Sequence, residues 1–293
     1  TNPRFVGKEE NQVSLESQVM GTALNGEAKA YPVEMIAYHH QLPDKIAGHH
    51  IWVTYCALCM SGRIYDRIVE GQALDFTLVG AITFNATFRD SQTGSWWRQE
   101  MGDAAKGPLK GKVLEDMFVE HMSLRDWLDK HPDSQVLQYD SAYTPIYTRL
   151  SNILNGDAWF PGWHQQERWP MVVGLDLENH ARSYDLDLLK NKRVINDRLG
   201  EVDVALFASE DGRTTTGFRR VVNDQTLDFV FEADRLKDTQ TGSEWNLFGE
   251  CGDGSLAGST LDKLQVRQQN LRSWTEFHPD TTFYGGNEPK RQS

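Results

Sequence analysis

Two of the three cysteines in this 293-residue chain stand three apart, at Cys56 and Cys59 in the stretch YCALCMSG. Thiols at that spacing can hold a soft metal ion, exchange electrons as a dithiol, or fill a core. On a strand, residues i and i+3 point to opposite faces, so both sulfurs reach one ion only where the chain turns through Ala57 and Leu58. Four of the nine histidines, His39, His40, His49 and His50, fall within twelve residues shortly before the pair. An even scatter would not place them there. Imidazole beside two thiolates suits copper or zinc, with His39, His40, His49, His50 and Met60 as candidates for the remaining positions. An open position would admit redox or Lewis-acid chemistry on a small-molecule substrate. Tyr55, Trp97 and Gln99 would then wall the site.

Two other readings compete. A thiol–disulfide oxidoreductase would use Cys56 or Cys59 as the attacking thiolate, yet MSGRIYDR reads as a turn and then a strand, so no helix N-terminus follows the pair to lower its pKa. A non-enzymatic interaction module would instead present the aromatic segment 158–169, AWFPGWHQQERW, as its contact surface. Cys251, in GECGDG, has no partner by spacing and reads as a loop thiol.

Composition narrows the partners. Thirty Lys and Arg against 42 Asp and Glu leave a formal charge of −12, which repels a phosphate backbone and argues against nucleic acid. A mean hydropathy of −0.56 and the lack of a long apolar run exclude a membrane-spanning helix and fit a soluble protein. Three cysteines are too few for a disulfide framework. Thr1 opens a polar stretch, TNPRFVGKEEN, that fits a chain trimmed of a leader or a piece of a longer one. Oligomeric state has no signature in the sequence.

The elements that must position the cysteines appear twice. ALDFTLVG (73–80) returns as TLDFVFEA (226–233), DSQTGSWW (90–97) as DTQTGSEW (238–245), and LRDWLDKHPD (124–133) as LRSWTEFHPD (271–280). Upstream, MGTALNGEAKAYPVEMI (20–36) matches VGLDLENHARSYDLDLL (173–189). The chain therefore reads as a duplicated, mainly β unit with short helices, an α+β pattern whose two halves face each other about a pseudo-twofold axis. Residues 1–137 form the first copy with an N-terminal arm and carry the Cys/His site. Residues 138–172 form an ordered, aromatic-rich connection, and residues 173–293 a degenerate second copy without the site.

Within the first copy, HHIWVTY (49–55) alternates as a half-buried strand, with Ile51, Val53 and Tyr55 on one face and Trp52 and Thr54 on the other. EGQ, matched by NDQ, marks a hairpin turn. Pro32 opens a short helix through Tyr38, and Ser123 caps a helix over Leu124 to Asp129 that His131-Pro132 ends. The Thr-Gly-Ser-x-Trp unit, present in both copies, reads as turn chemistry.

Duplication supplies an internal control, because features kept in both halves serve the fold while features in one half are candidates for function. Aligned at an offset of 152, Ala208 stands under Cys56 and Asp211 under Cys59, and at 153 Lys192 meets His39. An Asp in place of Cys59 puts the 56–59 turn at the surface or along a cleft.

NGEAKAYPVEMIAYHH, VTYCALCMSGRIYDR, FRDSQTGSWWRQ and GPLKGKVLE in succession resemble the prokaryotic family called domain of unknown function 3179, over residues 17 to 137. By that pattern His39, Cys56 and Cys59 match, while His40 stands where the family has Glu, Pro43-Asp44 where it has Asn-Asp, and Ala57 and Met60 where Pro and Gly are common. The resemblance implies an exported protein, periplasmic or extracellular. Together with the residue chemistry it leads to one expected site, a copper ion (zinc as the alternative) on Cys56, Cys59 and His39, serving a metal-dependent oxidoreductase.

Overall fold

The computed structural model describes residues 3–154 and 169–289. It is mainly β, with 47% strand against 18% helix. The described residues form two compact units, 3–154 and 169–289. The aromatic run expected to connect them lies outside the described residues from 155 to 168. Its N-terminal shoulder, the helix α3 (Thr144–Leu154), packs on the first unit, with Tyr147 fully buried in that unit's core.

Three layers of the first unit matter for the site. One sheet pairs Gln18–Leu24 with Glu27–Pro32 through an Asn25-Gly26 turn, both residues at positive φ as a type I′ turn requires. Glu120–Ser123 adds on its other side. The helix α1 (Val33–His39) follows directly and ends in a left-handed His40. A second sheet orders Gln41–Ile46, His49–Cys56 and Ser61–Asp66. A third begins with the hairpin of Phe76–Ile82 and Asn85–Asp90 and continues through Trp96–Arg98 and Ala104–Lys106.

The strand His49–Cys56 alternates as its sequence predicts but is not half-buried: Ile51 through Cys56 are all buried. Ile51, Val53 and Tyr55 join one core, and Trp52 and Cys56 join another beneath the third sheet. Being central in its sheet with apolar layers on both faces, the strand has no solvent side.

In the second unit, Met171–Leu177 pairs with His180–Asp185 and then α4 (Leu186–Lys192) follows, and Val202–Ala208 lies between Val194–Leu199 and Thr215–Arg219. Contacts of the first unit recur one by one. Trp97 Nε1 donates to Asp90 at 2.8 Å and Trp245 Nε1 to Asp238 at 3.0 Å. In both turns the carboxylate also accepts from the following Thr, the Thr-Gly-Ser chemistry read from the sequence. Burial pushes the Asp90 and Asp238 carboxyls up, but these N–H and O–H donors outweigh it and hold both below the usual range. Ser123 accepts from Asp126 N–H at 3.1 Å to cap α2 (Leu124–Lys130), and Asn270 does the same for α5 (Leu271–Phe277).

Helix and sheet meet at two matching glycines. A Cβ on Gly21 would lie 2.3 Å from the Trp127 ring, and one on Gly174 would lie 2.1 Å from Trp274. Both indoles are wholly buried and cannot retreat. Gly21→Ala and Gly174→Ala are each expected to cost about 1–3 kcal/mol, read as a lower urea midpoint at unchanged slope. A cost below ~0.5 kcal/mol at both would show that the helices are not held against the sheets in this way.

Candidate functional site: a buried dithiol

Cys56 ends its strand, Met60 at positive φ turns the chain, and Ser61 starts the return strand opposite Cys56. This tight four-residue turn brings Cys56 Sγ and Cys59 Sγ to 2.8 Å. Both thiols are buried, at 1% and 0% exposure, although the turn that carries them is itself partly open. Ala57, Leu58 and Met60 above them are partly exposed.

The sequence alignment that puts Asp211 under Cys59 slips by one. Cys56 faces Ser61 across its hairpin, with Trp52 opposite Tyr65; in the second unit Ala205 faces Phe218 and Ala208 faces Thr215. Tyr55 N–H bonds to His40 O, as Ala208 N–H does to Arg193 O. The offset is therefore 153: Ala208 matches Tyr55, Ser209 matches Cys56, and Gly212 matches Cys59. The exposed Asp211 matches Leu58 and says nothing about Cys59.

The Phe76–Ile82/Asn85–Asp90 hairpin reaches over the thiols. It runs 15 residues from Phe76 to Asp90, against 10 from Phe229 to Asp238 in the second unit, and the added length carries its tip to Cys59. Cys59 Sγ lies 2.8 Å from Phe84 O, and Asn85 Nδ2 donates to Cys59 Sγ at 3.3 Å. Asn85 Nδ2 also donates to Gln99 Oε1 at 3.1 Å, and Ser61 Oγ donates to Glu100 Oε2 at 2.9 Å. Glu100 in turn forms a buried ion pair with Arg63. His121 is buried nearby, close enough for Arg63 to act on its charge.

These neighbours treat the two sulfurs differently. Burial pushes the Cys56 thiol up, but donation from the Cys59 thiol and from the Cys59 and Ala86 amides outweighs it, so Cys56 falls below its ordinary value. Cys59 is raised, first by burial, then by donating to Cys56 and by the charges of Cys56 and Glu100. Of the pair, Cys56 is the easier to ionise and Cys59 the harder. Burial and the charges of Cys56, Cys59 and Glu34 hold the Tyr55 phenol protonated.

His39 and His49 make their side-chain contacts with residues other than the cysteines. His39 ends α1 with Nε2 2.7 Å from Tyr147 OH and its ring edge-on to Tyr143. It lines a separate cavity with Met35, Leu137 and Tyr147. His49 is exposed and pairs with Asp66 at 3.3 Å. His40 has its pKa lowered by burial and by His39. Among the described residues no group of three or more His, Cys, Asp or Glu side chains is gathered to hold a metal ion. Gln99 does sit at the thiols, whereas Trp97 serves the Asp90 turn. Cys251 is buried on a strand, Cys251–Asp253, and is not a loop thiol.

Sequence reasoning missed Ser61, Arg63, Asn85, Glu100 and His121. A signal was present: at the corrected registers Arg63 meets Thr216 and His121 meets Gln268, and, counted from the matching tryptophans, Glu100 meets Phe248. Arg63, Glu100 and His121 thus have no charged counterpart in the second unit.

Fold and site together define a class: a mainly β protein of two units, one of which buries a Cys-x-x-Cys dithiol among paired charges. The chain belongs to the family described as protein of unknown function (DUF3179), whose model matches residues 1–281 and so covers both units, beyond the 17–137 span of the sequence resemblance. Neither the curated proteins nor the solved structures contain a match.

Proposed function

We propose that the first unit is a thiol–disulfide redox centre in which Cys56 and Cys59 cycle between two thiols and one disulfide, and that the second unit is a duplicate that has lost this chemistry. The observation that carries the reading is the asymmetric, isolated pair: sulfurs 2.8 Å apart, with Cys56 accepting from Cys59 Sγ and from the Cys59 N–H at 3.3 Å. Two thiolates on one tetrahedral ion at about 2.3 Å each would stand roughly 3.8 Å apart. The loss of both cysteines to Ser209 and Gly212 in the second unit supports a role other than folding.

The pair lies beneath a partly exposed turn, which suits a low-molecular-weight disulfide RSSR as oxidant. Cys56, having released its proton to solvent, attacks one sulfur of RSSR as the thiolate, forming a Cys56–SR bond and releasing RS⁻, which takes a proton back from solvent. Cys59 then attacks Cys56 Sγ, its proton passes to the departing RS⁻, and the Cys56–SR bond breaks. The sum is one protein dithiol and one RSSR giving one protein disulfide and two RSH. An exported location, as the family resemblance implies, would keep such a disulfide from the reducing cytosol.

Equilibration with glutathione buffers, followed by alkylation and mass spectrometry, tests the reading. The whole protein should lose two alkylatable thiols at a reproducible potential, and Cys59→Ser should trap glutathione on Cys56 while Cys56→Ser traps far less. Thiols that stay reduced in oxidised glutathione would overturn it. So would about one equivalent of copper or zinc surviving desalting and disappearing in the double variant, the result a metal centre requires.

A further inference from the structure

We propose that a second site, separate from the dithiol and independent of its chemistry, binds a free α-amino acid with an apolar side chain. A cavity of about 400 Å³ opens among α1, the strand Gln41–Ile46, the segment after Gln135–Leu137, and α3. That volume is at the size of a small-ligand pocket. Its wall is largely apolar, formed by Met35, Ile36, Leu42 and Leu137.

Two oppositely charged residues line this space, exposed Arg4 and half-buried Asp140. Arg4 lines it and makes no ion pair or side-chain hydrogen bond among the described residues. Asp140 lines it as well; one oxygen caps the Ser141–Tyr143 turn by accepting from Ala142 N–H at 3.0 Å, and the carboxylate, whose charge also reaches the His39 imidazole, makes no ion pair among the described residues. The other polar groups are already engaged: Gln41 Oε1 accepts from Trp52 Nε1 at 2.7 Å, Tyr139 OH donates to buried Glu34, and His39 faces Tyr147. A ligand is thus offered one cation, one anion and an apolar wall. An α-carboxylate on Arg4, an α-ammonium near Asp140 and a side chain against Met35 and Leu137 satisfy all three, and charge-assisted hydrogen bonds of this kind are the strong ones. The second unit has Lys192 at the place of His39.

Calorimetric titration of the whole protein with L-phenylalanine, 3-phenylpropionate and phenethylamine separates the contributions. L-phenylalanine should bind at least tenfold more tightly than either half-molecule. Arg4→Gln should remove most of the advantage of phenylalanine over phenethylamine, and Asp140→Asn, which keeps the turn cap, most of its advantage over phenylpropionate. Absence of binding by phenylalanine at 10-fold molar excess over millimolar protein, or affinities that neither variant changes, would overturn the assignment. Because the dithiol assay uses neither residue, failure here leaves that result standing.

Discussion

Glu100→Gln is expected to lower the unfolding free energy by about 3–5 kcal/mol, the usual consequence of stranding one member of a buried ion pair. Arg63 and Glu100 are 4% and 0% exposed at their side chains, so water cannot replace the lost charge. Arg63 would keep hydrogen bonds to Glu100 O at 3.3 Å and Gly62 O at 3.0 Å, which solvate a cation but do not neutralise it, and the more weakly acting charge of Asp116. The double variant Arg63→Thr/Glu100→Phe, which installs the residues of the second unit, should recover most of the loss because neither charge of the pair remains. Urea unfolding of the two single variants and the double measures the coupling. A loss under ~1 kcal/mol for Glu100→Gln would mean the pair is hydrated. The same substitution has a chemical readout. Glu100 opposes the Cys56 thiolate, so removing its charge should move alkylation of Cys56 to lower pH in the folded protein.

Acid should weaken the protein through His121 before its exposed carboxylates titrate. Burial first, and then the Arg63 charge, lower its pKa from 6.5 to about 4. Between those values the unfolded chain binds a proton that the folded chain refuses, so stability rises with pH there and is lost as pH falls from about 6.5 to about 4. At 1.36 kcal/mol per pKa unit the full loss is about 3 kcal/mol. His121→Gln, the residue found at Gln268, should flatten this part of the profile while leaving the slope below pH 4, where Asp90 and Asp238 take up protons. Stability curves of the two proteins that stay parallel from pH 7 to 4 would show that His121 titrates normally.

The sequence made some of this legible. The alternation of Ile51, Val53 and Tyr55 against Trp52 marks the strand correctly, because side-chain direction in a strand is a two-residue property. The Ser123 cap and the Asp90–Thr93–Trp97 turn follow from groups at most seven residues apart. The duplicated motifs led to the one-sidedness of the cysteines, but a one-residue slip put Asp211 where Gly212 belongs. Sequence similarity in ASEDG is too slight to set register, whereas interstrand hydrogen bonds admit only one. The expected ligand His39 shows the same boundary. Its distance along the chain to Cys56 is short, yet helix α1 ends with the ring turned to Tyr147, 108 residues away.

By itself, then, the sequence determined a mainly β chain with repeated motifs, its caps and turns, and a lone Cys-x-x-Cys, since each of these depends on neighbours along the backbone. Only the tertiary structure decided what surrounds the thiols. Asn85 comes from 26 residues beyond Cys59 through a lengthened hairpin, and Glu100 comes from 37 residues beyond Arg63. Burial removes the water that would otherwise level their charges, and that exclusion lets the network lower the Cys56 thiol's pKa while raising that of Cys59.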